Sequence, residues 1–261
     1  MSRGLNWLQA LAGGQALSGY PASVKVVDGT LGDRSARYIA VVPDAENPFP
    51  RARNGEVGLL EGWALGQALD EVIEADRDKA DKRVVVAIVD VPSQAYGRRE
   101  EALGIHQALA GAVDGYARAR LAGHPVVSLL VGKAMSGAFL AHGYQAQRII
   151  ALRDPGVMVH AMGKAAAARI TLRSVEELEA LAESVPPMAY DIDNYATLGL
   201  LWETLSVNSI EQPSAVDLQL VRDRLQQAVA DIGDSTDLRG RLGAPNREAS
   251  SLVRELLRAQ W

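Results

Sequence analysis

Residues 23–43 carry two dense apolar runs, SVKVVDG and ARYIAVV, around Gly29, Gly32 and the turn former Asp33. They predict two strands joined by a turn. The period then lengthens. From Glu56 to about Ala75, the residues Leu60, Trp63, Ala64, Leu69, Val72 and Ile73 recur at helical spacing. VVVAIVDV, Val84 to Val91, is apolar almost throughout and is ended by Pro92, which predicts a strand buried on both faces. Ile105, Leu109, Val113 and Tyr116 share one face of a helix predicted from about Glu100 to Leu121. Pro125 then introduces VVSLLVG, a second buried strand. Ser136 to Gly143 reads as a short helix, and RIIAL (Arg148–Leu152) and VMVH (Val157–His160) as two further strands.

Beyond His160 the pattern turns helical. Ser174 with Glu177 forms a capping box ahead of Leu178, Leu181 and Ala182, and Pro186 and Pro187 stop that helix. Leu218, Val221, Leu225, Val229 and Ile232 mark another, closed by Gly233. Leu252, Val253, Leu256 and Leu257 mark the last. Strands alternating with helices predict an α/β core covered on both faces. The chain reads as a single domain, with a strand-rich core over about residues 20–170 and a helical extension over about 171–261; the change falls near residues 170–188.

Composition narrows the function classes. Hydrophobic residues make up 48% of the 261, enough for a sizeable core, and aromatics only 5%, so packing rests on Ala, Gly, Leu and Val. The net charge of -5 comes from interspersed signs with no basic stripe, which argues against a nucleic-acid partner. With no cysteine there is no disulfide, thiol nucleophile or Cys-ligated zinc, which fits a cytoplasmic protein. Met1 to Leu11 lacks the apolar core of a signal peptide, and no apolar run is long enough to span a bilayer. A soluble protein with no membrane partner is expected.

Two segments carry candidate chemistry. In VSLLVGKAMSGAFLAHG, Val127 to Gly143, a buried strand ends at Gly132 and small residues crowd before a helix: Ala134, Ser136, Gly137 and Ala138. Such a turn exposes backbone N–H groups that stabilise developing negative charge. Taken alone, a tight strand-to-helix junction is the commoner role of such a turn. In DVPSQAYGRREEALG, Asp90 to Gly104, a second buried strand ends in a turn with Pro92, Ser93, Gln94 and Gly97. Ligands of open α/β layers bind beyond the carboxyl ends of strands, so the two turns are expected to face one pocket.

Both segments resemble the carboxyltransferase alpha half of acetyl-CoA carboxylases, in the crotonase superfamily. The stretch D-T-P-G-A-Y-P-G-x-x-A-E-E-x-G is matched without a gap by Asp90, Val91, Pro92, Ser93, Gln94, Ala95, Tyr96 and Gly97, and later by Glu101 and Gly104. G-E-G-G-S-G-G-A-L-A is matched from Gly132 to Ala141, and E-G-Y by Glu61, Gly62 and Trp63. Ser93 and Gln94 replace Gly and Ala, Lys133 replaces Glu, Ala138 replaces a Gly, and HAMG (His160–Gly163) stands where the carboxylases have S-P-E-G. These departures resemble the gamma subunits of biotin-independent malonate decarboxylases along nearly the whole chain. RNGEVGLLEGWALGQAL and VPSQAYGRREEALG are the most specific stretches.

The resemblance implies a crotonase-like spiral core with a helical carboxyl-terminal extension, and a heterodimer with a homologous beta subunit. It implies that a malonyl thioester, borne by an acyl-carrier subunit that an acyl-carrier transferase subunit loads, loses carbon dioxide to give the acetyl thioester. No cofactor is expected on this chain; the carrier's thiol belongs to a prosthetic group derived from dephospho-CoA. Enolate chemistry at a backbone site then assigns one oxyanion site to Gly137 and Ala138, next to Ser136, and a second to Ser93 and Gln94. Lys133, Tyr96 and His160 are the candidate substrate contacts, although a solvated rim is the commoner place for such a lysine and a structural role the commoner one for such a histidine.

Two alternatives stand beside this reading. Ser136 between small residues resembles a relaxed nucleophile elbow, with His142 or His160 as base, which would make a serine hydrolase. The chain would otherwise be a non-catalytic structural subunit of a carboxyltransferase complex. The four histidines, His106, His124, His142 and His160, show no metal-ligand spacing, and no metal site is expected.

Overall fold

A computed structural model describes residues 2–261. Helix α1 (Arg3–Ala12) opens the chain, capped by the Ser2 hydroxyl, which accepts from Leu5 N at 3.3 Å. Its Trp7 is fully buried and donates from Nε1 to Ile210 O at 2.8 Å, tying the amino end to the far end of the chain. The two expected strands follow as β1 (Val24–Leu31) and β2 (Arg34–Val41), paired antiparallel around Gly32 and Asp33. Gly29 lies within β1 rather than in the turn. A Cβ there would sit 2.7 Å from Ala12 O, so that glycine admits α1 and not a bend.

Helix α2 (Leu59–Ala75) leads to β3 (Val84–Val91), whose limits are those read from the sequence. Every β3 residue but Asp90 is buried. The expected helix from Glu100 is two helices, α3 (Arg98–Ala102) and α4 (Ile105–Leu121). Gly104 separates them at φ +82°, a left-handed conformation that ends one helix and starts the next. After α4 come β4 (Val126–Met135), α5 (Ser136–Ala141), β5 (Arg148–Leu152) and β6 (Met158–His160). The remainder holds α6 (Lys164–Thr171), α7 (Val175–Ser184), α8 (Ile192–Ala196), β7 (Glu203–Leu205), α9 (Ala215–Ile232) and α10 (Glu248–Gln260). The Ser174 capping box is formed: Glu177 N donates to Ser174 Oγ at 3.1 Å, and Ser174 N to Glu177 Oε2 at 2.7 Å.

The sheet runs β1-β2-β3-β4-β5-β7, with β6 paired to the outer part of β4. All pairs except β1–β2 are parallel. The α1 and α9 helices pack on each other and on the sheet, while α2, α4 and α5 form a second packed group against it. The expected helical tail is therefore not wholly an extension. β7 pairs with β5, and α9 buries Val221, Leu225 and Ile232 in the main core. Three residues were too short a run to read as a strand beforehand. Among the described residues α6 and α7 pack in a small cluster of their own around Ala167, Ala168 and Leu178, and α10 has no buried residue; Leu252, Val253, Leu256 and Leu257 line up as a helical face but stay half exposed.

The parallel strands β3 and β4 carry the two turns singled out above. Between Val89 and Val91 their register shifts, so that Val89 faces Leu130 while Val91 faces Ala134. The extra residues of β4 bulge around the Asp90 carboxylate, which accepts from Lys133 N at 3.2 Å and from Gly4 N at 3.3 Å. A Cβ on Gly132 would fall 2.0 Å from Asp90 Oδ1, so any larger residue in that bulge would have to push the carboxylate aside.

Candidate active site

Past β3 the chain is held by a short clamp. Val57 N donates to Ser93 O at 3.1 Å, and Ala95 N donates to Val57 O at 2.9 Å, so Val57 pins both sides of Gln94. The clamp is itself anchored. Gly58 N donates to Glu61 Oε2 at 2.9 Å, and the other carboxylate oxygen accepts from Ser23 Oγ at 2.5 Å and Asn47 Nδ2 at 2.8 Å. Glu61 is fully buried and forms no ion pair among the described residues, and these donors take the place of water. Neither Val57 nor Glu61 was singled out as a site residue, although Glu61 stands in the Glu-Gly-Trp stretch. The signal was a carboxylate beside an apolar helix face.

Past β4, Ser136 adopts φ +58°, a conformation uncommon for a residue other than glycine. The bend turns Gly137 toward the first turn. Gly137 N donates to Gln94 Oε1 at 2.8 Å, which joins the two turns directly. Leu109 of α4 closes this place from the side; a Cβ on Gly137 would lie 3.6 Å from its Cδ1. Ser93, Gln94, Ser136 and Gly137 are half-buried and Ala138 is buried, as suits a site at the ends of parallel strands.

The outer candidates separate. Lys133 is exposed and forms no ion pair among the described residues. It lines a cleft of about 380 Å³ with Arg3, Asn54, Asp90 and Pro92. Tyr96 is 55% exposed and follows Gln94 by two residues along the chain. His160 ends β6 opposite Met135, which brings it to the Ser136 end of β4. Its ring stacks on Tyr190 at 3.9 Å, and Nδ1 lies 3.0 Å from Met162 O and 3.3 Å from Met162 N, with burial lowering its pKa. A larger cleft, about 890 Å³, opens beside Asp33, Arg83, Pro125 and Asp234, at the amino ends of β3 and β4 and away from both turns. Among the described residues no group of three His, Asp or Glu side chains is placed to hold a metal ion.

His142 is no base for Ser136. It is fully buried, with Nδ1 2.9 Å from Tyr116 Oη and Nε2 2.9 Å from Ile88 O, so both nitrogens are engaged. Burial lowers its pKa from 6.5 to about 4. The fold thus favours the neutral ring; its contribution to stability is complete above pH 6.5 and is lost as the pH falls through 6.5 toward 4. This group alone is expected to cost about 2 kcal/mol between pH 7.5 and pH 5. Urea unfolding at those two pH values should show a smaller drop for His142→Gln than for the wild type. An equal drop in both would show that the acid sensitivity lies elsewhere.

The parallel sheet with its pair of strand-end turns has the crotonase-type fold. In fold the chain matches transcarboxylase 12S, with a TM-score of 0.66 at 18% identity, over 87% of this chain and 41% of that one. The sequence model of the malonate decarboxylase gamma subunit (MdcE) matches residues 52–261, and the chain belongs to that family. It is 72% identical to a chain of a Pseudomonas malonate decarboxylase hetero-tetramer crystallised with coenzyme A, with a TM-score of 0.96 and 100% of both chains covered. It is also 38% identical over 173 residues to the malonyl-S-ACP:biotin-protein carboxyltransferase MADD of Malonomonas rubra; the match takes in 65% of this chain and spans 59% of that relative's length.

Proposed function

We propose that this chain and a homologous beta subunit together decarboxylate a malonyl thioester borne by an acyl-carrier subunit. The bond between the α-carbon and the carboxylate breaks, carbon dioxide leaves, and the electron pair spreads onto the thioester oxygen as an enolate. A proton added at the α-carbon gives the acetyl thioester. The N–H groups of Gly137 and Ala138 serve one developing oxyanion, and those of the Ser93–Gln94 turn a second, each binding more strongly as charge builds. Lys133 meets an anionic group of the substrate, and Tyr96 stands at the mouth. His160 shapes the wall through its stack on Tyr190.

The observation that supports this reading most is the bond between Gly137 N and Gln94 Oε1 at 2.8 Å. An amide carbonyl oxygen rests on the donor proposed for a thioester carbonyl oxygen. Family membership and the hetero-tetrameric relative support the shared role. So does the exposed apolar face of α10, because obligate interfaces are rich in apolar surface. The reading needs no biotin and no metal on this chain; the dephospho-CoA-derived arm belongs to the carrier, which a transferase subunit loads. The compartment in this reading is the cytoplasm.

The test is co-purification with the beta subunit, followed by release of carbon dioxide from a malonyl thioester. The complex is expected to be active, with avidin or a chelator leaving the rate unchanged. The isolated chain is expected to self-associate and to be inactive. Full activity from a well-behaved monomer would overturn the shared site. Wild-type rates in complexes carrying Gly137 variants would favour a purely structural subunit.

A further inference from the structure

We propose that the Gln94 side chain is a displaceable plug on the Gly137 N–H, setting how readily the site accepts a thioester; this rests on the decarboxylase reading above. Gln94 Oε1 accepts from Gly137 N at 2.8 Å. A backbone N–H only donates, so this bond fixes which end of the amide faces Gly137. The backbone beneath is held on both sides by Val57, through Ser93 O at 3.1 Å and Ala95 N at 2.9 Å. The side chain is not held in this way. It is half-buried, and among the described residues its amide makes no hydrogen bond besides the one to Gly137. Its rotatable bonds therefore form the hinge, and the turn stays in place when they move.

The plug is chemically matched to what it would admit. An amide carbonyl and a thioester carbonyl both present an sp² oxygen, and one N–H donor serves one of them at a time. While no thioester is present, Gln94 satisfies a half-buried donor that would otherwise depend on water. When a thioester arrives, the side chain swings out and the donor passes to the reacting oxygen. Only molecules with the plug out bind substrate, so the apparent KM is raised by the inverse of that fraction, while the step after displacement changes little. A neutral hydrogen bond of this kind biases the balance by roughly two- to tenfold.

Variants of Gln94 in the assembled complex test this through KM and kcat separately. Gln94→Ala removes the plug, and its KM for a malonyl-pantetheine thioester is expected to fall roughly two- to tenfold, with kcat moving less than KM. Gln94→Asn is one methylene too short to reach Gly137 and should follow Ala. Gln94→Glu offers a charged acceptor to the same N–H, and its KM should rise by about tenfold or more. A kcat loss of about tenfold or more in the Ala variant, with KM unchanged or raised, would make the amide a donor to the reacting group and overturn the plug. A flat KM across the series would overturn it too, while wild-type turnover in the same assay keeps the decarboxylase reading intact. A crystal structure of the complex with the dethia methyl-ketone analogue of the acetyl thioester product, which keeps the carbonyl oxygen and has no carboxylate to lose, reads the hinge without turnover. Gln94 rotated off Gly137 N supports the plug. Gln94 still seated there beside a bound analogue overturns it.

Discussion

Gly137→Val in the assembled complex is expected to lower turnover by about a hundred- to thousandfold, the range seen when one oxyanion donor is lost. The reason is position. A Cβ on Gly137 would already lie 3.3 Å from Gln94 Oε1 and 3.6 Å from Leu109 Cδ1, so the two methyl groups of valine must enter the space where a thioester would approach. Ser136→Ala behaves differently. It keeps the turn small and asks no more of the φ of +58° than serine does, so most of the activity should remain. A hydrolase would reverse this order, because losing the nucleophile nearly abolishes turnover and a fluorophosphonate would label Ser136 in the wild type. The geometry already counts against His142 as its base, because both ring nitrogens are committed to Tyr116 and Ile88. A dead Ser136→Ala complex together with labelling at Ser136 would nevertheless replace the decarboxylase mechanism with an acyl-enzyme.

What the sequence made legible follows from how local each signal was. β3 could be read to the residue because an apolar run broken only by Asp90, between a charged loop and Pro92, is best explained by a strand covered on both faces. The Ser174 capping box and the Gly233 stop are local hydrogen-bond chemistry, and they appear where the residues placed them. The break at Gly104 was missed because Arg98–Ala102 has no apolar period of its own to set it apart from the helix that follows; the left-handed φ of that glycine separates the two. β7 was missed because three residues carry no period, and their pairing with β5 is decided by chain far away.

The site shows the same division. Ser93, Gln94, Ser136 and Gly137 were legible as two small-residue turns after buried strands, and their convergence followed from parallel topology. That Gln94 would reach across to Gly137 was not legible, since it depends on the register shift around Asp90 and on the Val57 clamp. Glu61 was visible only as part of a short motif. Its burial with Ser23, Asn47 and Gly58 is a contact among three separate segments, which no local pattern encodes.

The neighbouring position supplies the prediction on which local and tertiary reasoning differ most. By helix propensity alone, Gly62→Val should stabilise α2 slightly, by roughly 0.3 kcal/mol. Packing says the opposite. Gly62 and Gly66 of α2 lie against α4, and a Cβ on Gly62 would stand 2.7 Å from both the carbonyl carbon and the oxygen of Ala108. Those are backbone atoms in mid-helix and cannot rotate aside, so the helices must part. Overpacking of this kind costs about 1–3 kcal/mol even where side chains can yield. Here a branched residue meets backbone, and the expected loss is about 3 kcal/mol or more, far beyond the propensity gain. The damage should also reach the site, because α4 carries Leu109 beside Gly137 and Glu61 anchors the clamp on Gln94. Urea unfolding of the complex, with decarboxylation assayed in parallel, measures both effects. Gly240→Ala, where nothing lies within 4 Å of the added Cβ, is the control and should stay within about 0.5 kcal/mol. If Gly62→Val is as stable as that control, the close approach of α2 to α4 is not what holds the clamp in place.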